Sequence, residues 1–243
     1  MKLVLFDIDG TLVWTDGAGR RAIHHALTEV FGSIGPADYR FDGKTDPQIV
    51  RDLMRFVGHG DDQIDARMQA VFDRYIERLR MELSAPDYQP RIMPGVFELL
   101  DALESRGDVV LGLLTGNLAA GARAKLESVG IDPARFPVGA FGSDHEQRPS
   151  LPEVARKRFR EYLGVDVEGS DCVIIGDTPA DVTCGRAIGA RAIGVATGRY
   201  RAEELMTHGA AAVFQDLSDT GAVVAEVMAR QPSPAHDRGS SQC

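Results

Sequence analysis

Leu3, Val4, Leu5 and Phe6 form an unbroken apolar run that ends in Asp7-Ile8-Asp9-Gly10-Thr11. A run without polar alternation is a strand covered on both faces, the kind found in a parallel α/β sheet. Open sheets of that type bind ligands at the carboxyl ends of their strands, which is where Asp7 and Asp9 emerge. Gly10 supplies the backbone freedom for a sharp turn at that point. Clustered carboxylates at a buried strand end need compensation, and a hard cation is their usual partner. An ordinary Asp/Gly-rich turn has the same local composition, so the rest of the chain must decide.

Two further apolar runs end in the same manner. Residues 109–114 lead into Thr115-Gly116-Asn117, and residues 172–176 lead into Asp177-Thr178-Pro179-Ala180-Asp181. From Arg91 onward helix and strand patterns alternate. A helix opens at Pro94-Gly95, followed by helix 118–129, a strand from Val138 to Phe141, helix 150–163, helix 179–188, and strands at Ala192 to Val195 and Ala212 to Phe214. Such alternation predicts an α/β fold, a Rossmann-like parallel sheet with helices on both faces.

Between the first strand and this alternating part, no strand pattern interrupts residues 15–84. Ala18, Ala22, Ile23, Ala26, Leu27, Val30 and Phe31 recur at helical spacing, with Thr15 or Asp16 as N-cap and Gly32 as the stop. Asp46-Pro47 opens a second helix with Asp46 as cap, and a third runs from about Asp61 to Leu83. The expected organisation is a core of residues 1–14 and 89–230, an inserted all-helical cap of residues 15–88, and a Pro/Ser/Gly-rich disordered tail over 231–243.

The chain has 243 residues and a formal net charge of −9, which offers no electrostatic footprint for nucleic acid. No run approaches the ~18 apolar residues of a membrane span, and the N-terminus enters the first strand without a secretory pattern. Three cysteines, Cys172, Cys184 and Cys243, suggest neither a disulfide framework nor a zinc site. The histidines have no metal-ligand spacing. A cytoplasmic monomer or homodimer, without nucleic acid or membrane partners, is the expectation.

The three strand-end motifs, in this order, resemble those of the haloacid dehalogenase (HAD) superfamily, mostly phosphatases and phosphotransferases. The resemblance covers nearly the whole chain, and the helical insertion is similar to the small cap of its phosphoglycolate-phosphatase-like subgroup. It implies Asp7 as nucleophile, Asp9 as acid/base, and Mg²⁺ held by Asp7, the backbone carbonyl of Asp9 and Asp177, with Asp181 supporting. Thr115, with the backbone N–H groups of Gly116 and Asn117 at a helix start, would hold phosphate oxygens. The family carries a basic residue, usually Lys, ahead of the last of these strands. Position favours Arg148, in the loop before helix 150–163; Lys157, midway along that helix, is the alternative. Lys44 and Thr45, or Arg40, would reach substrate from the cap.

The implied reaction is Mg²⁺-dependent hydrolysis of a small organic phosphomonoester through an aspartyl-phosphate. Asp9 must carry a proton in the first step, which requires burial or a nearby anion to raise its pKa. Dehalogenases of the superfamily lack the second Asp, so Asp9 argues against that chemistry. Two alternatives remain: a sugar-phosphate mutase with the same motifs, and a catalytically silent metabolite-binding protein of the same fold.

Overall fold

The computed structural model describes residues 1–229. The expected disorder of 231–243 and the terminal Cys243 lie outside the described residues. Six strands form one parallel sheet: β1 (Lys2–Phe6), β4 (Val109–Leu114), β5 (Val138–Ala140), β6 (Cys172–Gly176), β7 (Arg191–Val195) and β8 (Ala212–Phe214). Their spatial order is β5-β4-β1-β6-β7-β8. The run that opened the sequence reading is thus central, flanked by the other two motif strands, with Phe6 opposite both Leu113 and Ile175.

Strand alternation divides the core into two layers. Val4 and Phe6 of β1 join one cluster with Leu99, Leu100 and Leu103 of α4 (Val96–Glu104), Ala122 and Leu126 of α5 (Ala119–Ser128), and Val223 and Val227 of α9 (Thr220–Met228). Leu3 and Leu5 face the other way, onto Leu151, Ala155 and Phe159 of α6 (Leu151–Leu163) and Cys184 of α7 (Pro179–Cys184). All four of these β1 side chains are fully buried, each worth roughly 1.5–3 kcal/mol relative to exposure. The sheet therefore holds β1, and the carboxylates after it, in a fixed place.

The helical segment comprises α1 (Ala18–Phe31), α2 (Asp46–Phe56) and α3 (Asp61–Leu83). It has its own buried cluster, built from Ala22, Ile23, Leu27, Ile49, Leu53, Ile64, Val71, Tyr75 and Leu79 among others. The chain enters and leaves it through a two-stranded antiparallel pair, β2 (Val13–Trp14) with β3 (Arg91–Ile92). Two-residue strands leave no periodic signal, and these were not anticipated.

Several element ends differ from expectation. The first helix is capped by Gly17, at φ 76°, because the Thr15 hydroxyl is turned to Asp9 instead. The second is capped by Thr45, whose hydroxyl accepts the Gln48 N–H. Asp46 lies one residue inside that helix, its carboxylate drawn to the core by the Leu118 N–H. The expected helix 179–188 stops at Cys184 and resumes as a 3₁₀ turn, Arg186–Ile188. A Cβ at Gly185 would sit 2.5 Å from Ile174, so only glycine lets the chain bend against the sheet there. The helix α8 (Ala202–Thr207) follows β7.

Candidate active site

β1, β4 and β6 deliver Asp7, Thr115 and Asp177 to one edge of the sheet, where they line a cavity of about 530 Å³. Above it stand residues of the helical segment, including Arg20, Ile23, Phe41, Lys44 and Asp46. The approach is close. A Cβ at Gly116 would lie 2.0 Å from the Lys44 carbonyl oxygen, and one at Gly43 would lie 2.5 Å from Ala180. The Asp46 N–H donates to the Gly116 carbonyl at 2.8 Å, and the Asp46 carboxylate accepts from Leu118 N–H at 2.8 Å.

Asp7, Asp177 and Asp181 are buried, with carboxylate oxygens mutually within 4.8 Å. Gly10, at φ 82°, lets the backbone pass 2.5 Å from Asp177 as measured from a would-be Cβ, where no side chain fits. Thr11 donates to Asp177 at 3.3 Å. One cation answers these three acids: Arg148 Nη2 donates to Asp7 at 3.0 Å, to the Leu114 carbonyl at 3.3 Å, and to Asp181. Burial and the Asp181 charge outweigh Arg148 at Asp7 and push its pKa up to about 7. Burial, then Asp181 and Asp7, push Asp177 well above the carboxylate range. A cluster so short of positive charge, offering only oxygen donors, fits a hard divalent cation. Asp7 and Asp177 are the side chains free to hold it. Both oxygens of Asp181 are committed, one to Arg148 and the other to Thr178 N–H (2.9 Å) and Thr178 hydroxyl (2.7 Å). Asp181 therefore orients Arg148 and the loop, which fits the supporting place the motif gave it.

Arg148 occupies the place expected of the basic residue. It is 5 % exposed, whereas the Lys157 side chain is 67 % exposed and lies 3.9 Å from Glu161 on the outer face of α6. The N-terminal 3₁₀ turn Arg148–Ser150, ahead of Pro152, aims the guanidinium back under β1.

Asp9 is in a different state from the one anticipated. Its Oδ2 accepts from Lys125 Nζ at 2.6 Å and from Asn117 Nδ2 at 2.8 Å, and its Oδ1 from the Thr15 hydroxyl at 3.3 Å. Burial alone would raise its pKa, but the Lys125 ammonium, aided by Asn117 and Thr15, holds it below the usual carboxylate value. Its Oδ2 is thus held by Lys125 and Asn117, and its side chain is not one of the three carboxylates that converge at Asp7, Asp177 and Asp181. Lys125, which sequence reasoning missed, is 3 % exposed although it sits on a helix. Its signal was its phase: it falls on the same face as Gly121, Ala122 and Leu126, all turned inward.

Other expected positions are redistributed. Helix α5 begins at Ala119, one residue after the expected start, and Gly116 and Asn117 lie in the loop that leads into it. Both line the cavity, but the Asn117 side chain serves Asp9 and the Thr115 hydroxyl, which accepts it at 2.8 Å. Thr45 is fully buried and its hydroxyl donates to the Glu146 carbonyl at 2.6 Å, so it joins helix to core and does not face substrate. Lys44 does line the cavity, paired with Asp52 at 3.1 Å. Arg40 turns to Asp42 and Tyr200 instead, while Arg20 and Arg199 border the cavity.

A parallel sheet carrying acidic residues after its central strands, with a basic residue beneath them, defines a Rossmann-like hydrolase architecture. The haloacid dehalogenase-like hydrolase family model matches residues 4–186, and the chain belongs to that family. It is 33 % identical over 229 residues to the phosphoglycolate phosphatase of Rhodospirillum rubrum, covering 90 % of this chain and 89 % of that one. The fold is similar to the crystal structure of a hydrolase from Pseudomonas syringae (TM-score 0.72, 22 % identity, 94 % of this chain and 100 % of that chain). It is also similar to CbbY from Rhodobacter sphaeroides in complex with phosphate (TM-score 0.68, 21 % identity, 91 % and 96 %). Among the described residues no helix is long and apolar enough to cross a membrane.

Proposed function

We propose that this chain is a Mg²⁺-dependent phosphatase of small organic phosphomonoesters, acting through an aspartyl-phosphate on Asp7, with α1–α3 (within residues 15–88) as its cap. The observation that carries the reading is the buried Asp7 carboxylate pinned at 3.0 Å by Arg148 inside the cavity, with Asp9 two residues on and Asp177 alongside. Arg148 lines the cavity, and its buried Nε has no hydrogen-bond partner among the described residues, although the Cys184 thiol is near its side chain. The phosphoglycolate phosphatase relative supports the reaction class.

In the first step an Asp7 oxygen forms a bond to phosphorus while the bond to the leaving oxygen breaks. The leaving oxygen keeps the electron pair and takes a proton from Asp9. In the second, water attacks the same phosphorus, Asp9 takes its proton, and Asp7 is released with inorganic phosphate. Mg²⁺, on Asp7 and Asp177, would supply charge neutralisation between nucleophile and phosphate. Arg148 fixes the nucleophile's second position and supports the equatorial charge. Lys125 keeps Asp9 ready as a base. For the first step Asp9 takes up a proton from solvent as the phosphate dianion arrives beside it and opposes the Lys125 ammonium. The docked cap limits the access of bulk water during the first step, before the hydrolytic water attacks.

The test is phosphate release from a panel of small phosphomonoesters, phosphoglycolate and sugar phosphates included, with Mg²⁺ and with EDTA. Release that requires Mg²⁺ and vanishes in D7N is expected. Sugar-phosphate interconversion without release would replace this reading by a mutase, and inactivity in both assays by a binding protein.

A further inference from the structure

The Lys125 ammonium is buried where core and helical segment meet. On the core side it donates to Asp9 Oδ2 and to Asn117 Oδ1, both at 2.6 Å. Asn117 in turn donates to the same Asp9 oxygen at 2.8 Å. Two donors thus clamp one oxygen of Asp9, and the other, Oδ1, meets only the Thr15 hydroxyl, at 3.3 Å, among the described residues. On the other side stand Gly19 of α1, Tyr75 of α3 and Asp46 of α2. A Cβ at Gly19 would be 3.3 Å from Lys125 Nζ and 3.9 Å from the Tyr75 hydroxyl. The helix α1 comes this close because residue 19 has no side chain.

We propose that Lys125 is a positioning residue, seated by the docked cap, that holds Asp9 Oδ2 and thereby aims Oδ1 at the leaving oxygen. This rests on the reading of Asp9 as acid/base. An ammonium has three donors, two of which are spent on the clamp. Its four-carbon stem is flexible when unpacked, so the cap wall at Gly19 and Tyr75 keeps it in register. An open cap loosens the clamp, and proton transfer becomes efficient only after closure. A misplacement of about 1 Å in such a group can cost on the order of 100-fold in rate.

The experiment compares kcat/KM, which reports the steps through attack on phosphorus, for two substrates with Mg²⁺. One is 4-nitrophenyl phosphate, whose acidic leaving group departs without a proton. The other is the alkyl phosphomonoester that the wild type turns over best. K125M keeps the length and removes the donors. We expect it to depress the alkyl value at least tenfold more than the aryl value, as D9N also should. G19A crowds the ammonium from the cap side without touching any charge. It should move the ratio in the same direction by twofold or more, and it carries the test if K125M does not fold. Equal loss on both substrates in K125M and G19A, with D9N discriminating, overturns the role of Lys125 alone. Equal loss in D9N removes the acid role of Asp9 and this inference with it.

Discussion

Replacing Arg148 by alanine strips the acidic cluster of its one bonded cation. Asp7, Asp177 and Asp181 are each no more than 6 % exposed, and the guanidinium bonds to Asp7 at 3.0 Å and to Asp181. Removing one partner from a buried charge network costs about 3–5 kcal/mol, because the remaining charges stay desolvated. The loss should be read by urea unfolding at pH 7.5 in EDTA. It should shrink in Mg²⁺, since a divalent cation on Asp7 and Asp177 compensates the same charges. Activity should fall by about 10²–10³ in kcat, the usual effect of losing one electrostatic donor to a developing oxyanion. R148K keeps a charge but not the planar fork, and should recover part of the stability and little of the rate. K157A is the control: its side chain is 67 % exposed and meets only Glu161 at 3.9 Å. Its unfolding curve and rate should match the wild type. If K157A costs more activity than R148A, or if R148A unfolds like the wild type in EDTA, the electrostatic account of this site is wrong.

Asp46 makes a pH prediction. Burial raises its pKa from 3.8 to about 6 against the opposing Lys125 charge and Leu118 N–H. The folded state therefore holds a proton that the unfolded state has lost, so this contribution declines as pH rises from about 4 to 6 and is flat above. A shift of about 2 units corresponds to about 3 kcal/mol. D46N, which keeps an oxygen for Leu118 N–H, should remove this slope and be the more stable protein at pH 7.5, as denaturation at several pH values would reveal. Equal slopes in both proteins would refute it. G116A places a methyl 2.0 Å from the Lys44 carbonyl oxygen. Overpacking of this kind costs about 1–3 kcal/mol, here charged to docking of the helical segment, and it should raise KM and lower kcat tenfold or more with little change in the near-UV CD of the core.

Much of the fold was legible because the sheet is parallel and buried on both faces. Its strands read as apolar runs, and residues that must emerge at their ends, Asp7, Thr115 and Asp177, stand out as polar breaks. Arg148 could be placed by its position in the loop before α6. Lys125 could not, since a basic residue on a helix is ordinarily solvated; only its phase with Ala122 and Leu126 betrays it, and its partner lies 116 residues away. The state of Asp9 followed from that omission. Asp46 was read as the cap where Thr45 serves, because either side chain can cap a helix. The choice was made by the Leu118 N–H, a tertiary contact with no local trace.

The placement of β1 between β4 and β6 also bears on how the chain comes into being. Synthesis delivers β1, the strand that leads into Asp7, well before its two neighbours, which begin at residues 109 and 172. An apolar strand must wait, unpaired, while most of the polypeptide is made, which is the situation in which slow, non-local pairing and exposed edges favour aggregation. The helical segment, with its local contacts and separate buried cluster, is complete long before. Chains released before residue 172 lack both Asp177 and one of the two neighbours of β1. The cluster of Asp7, Asp177 and Asp181 is thus completed late in biosynthesis, a timing set by the order of the strands.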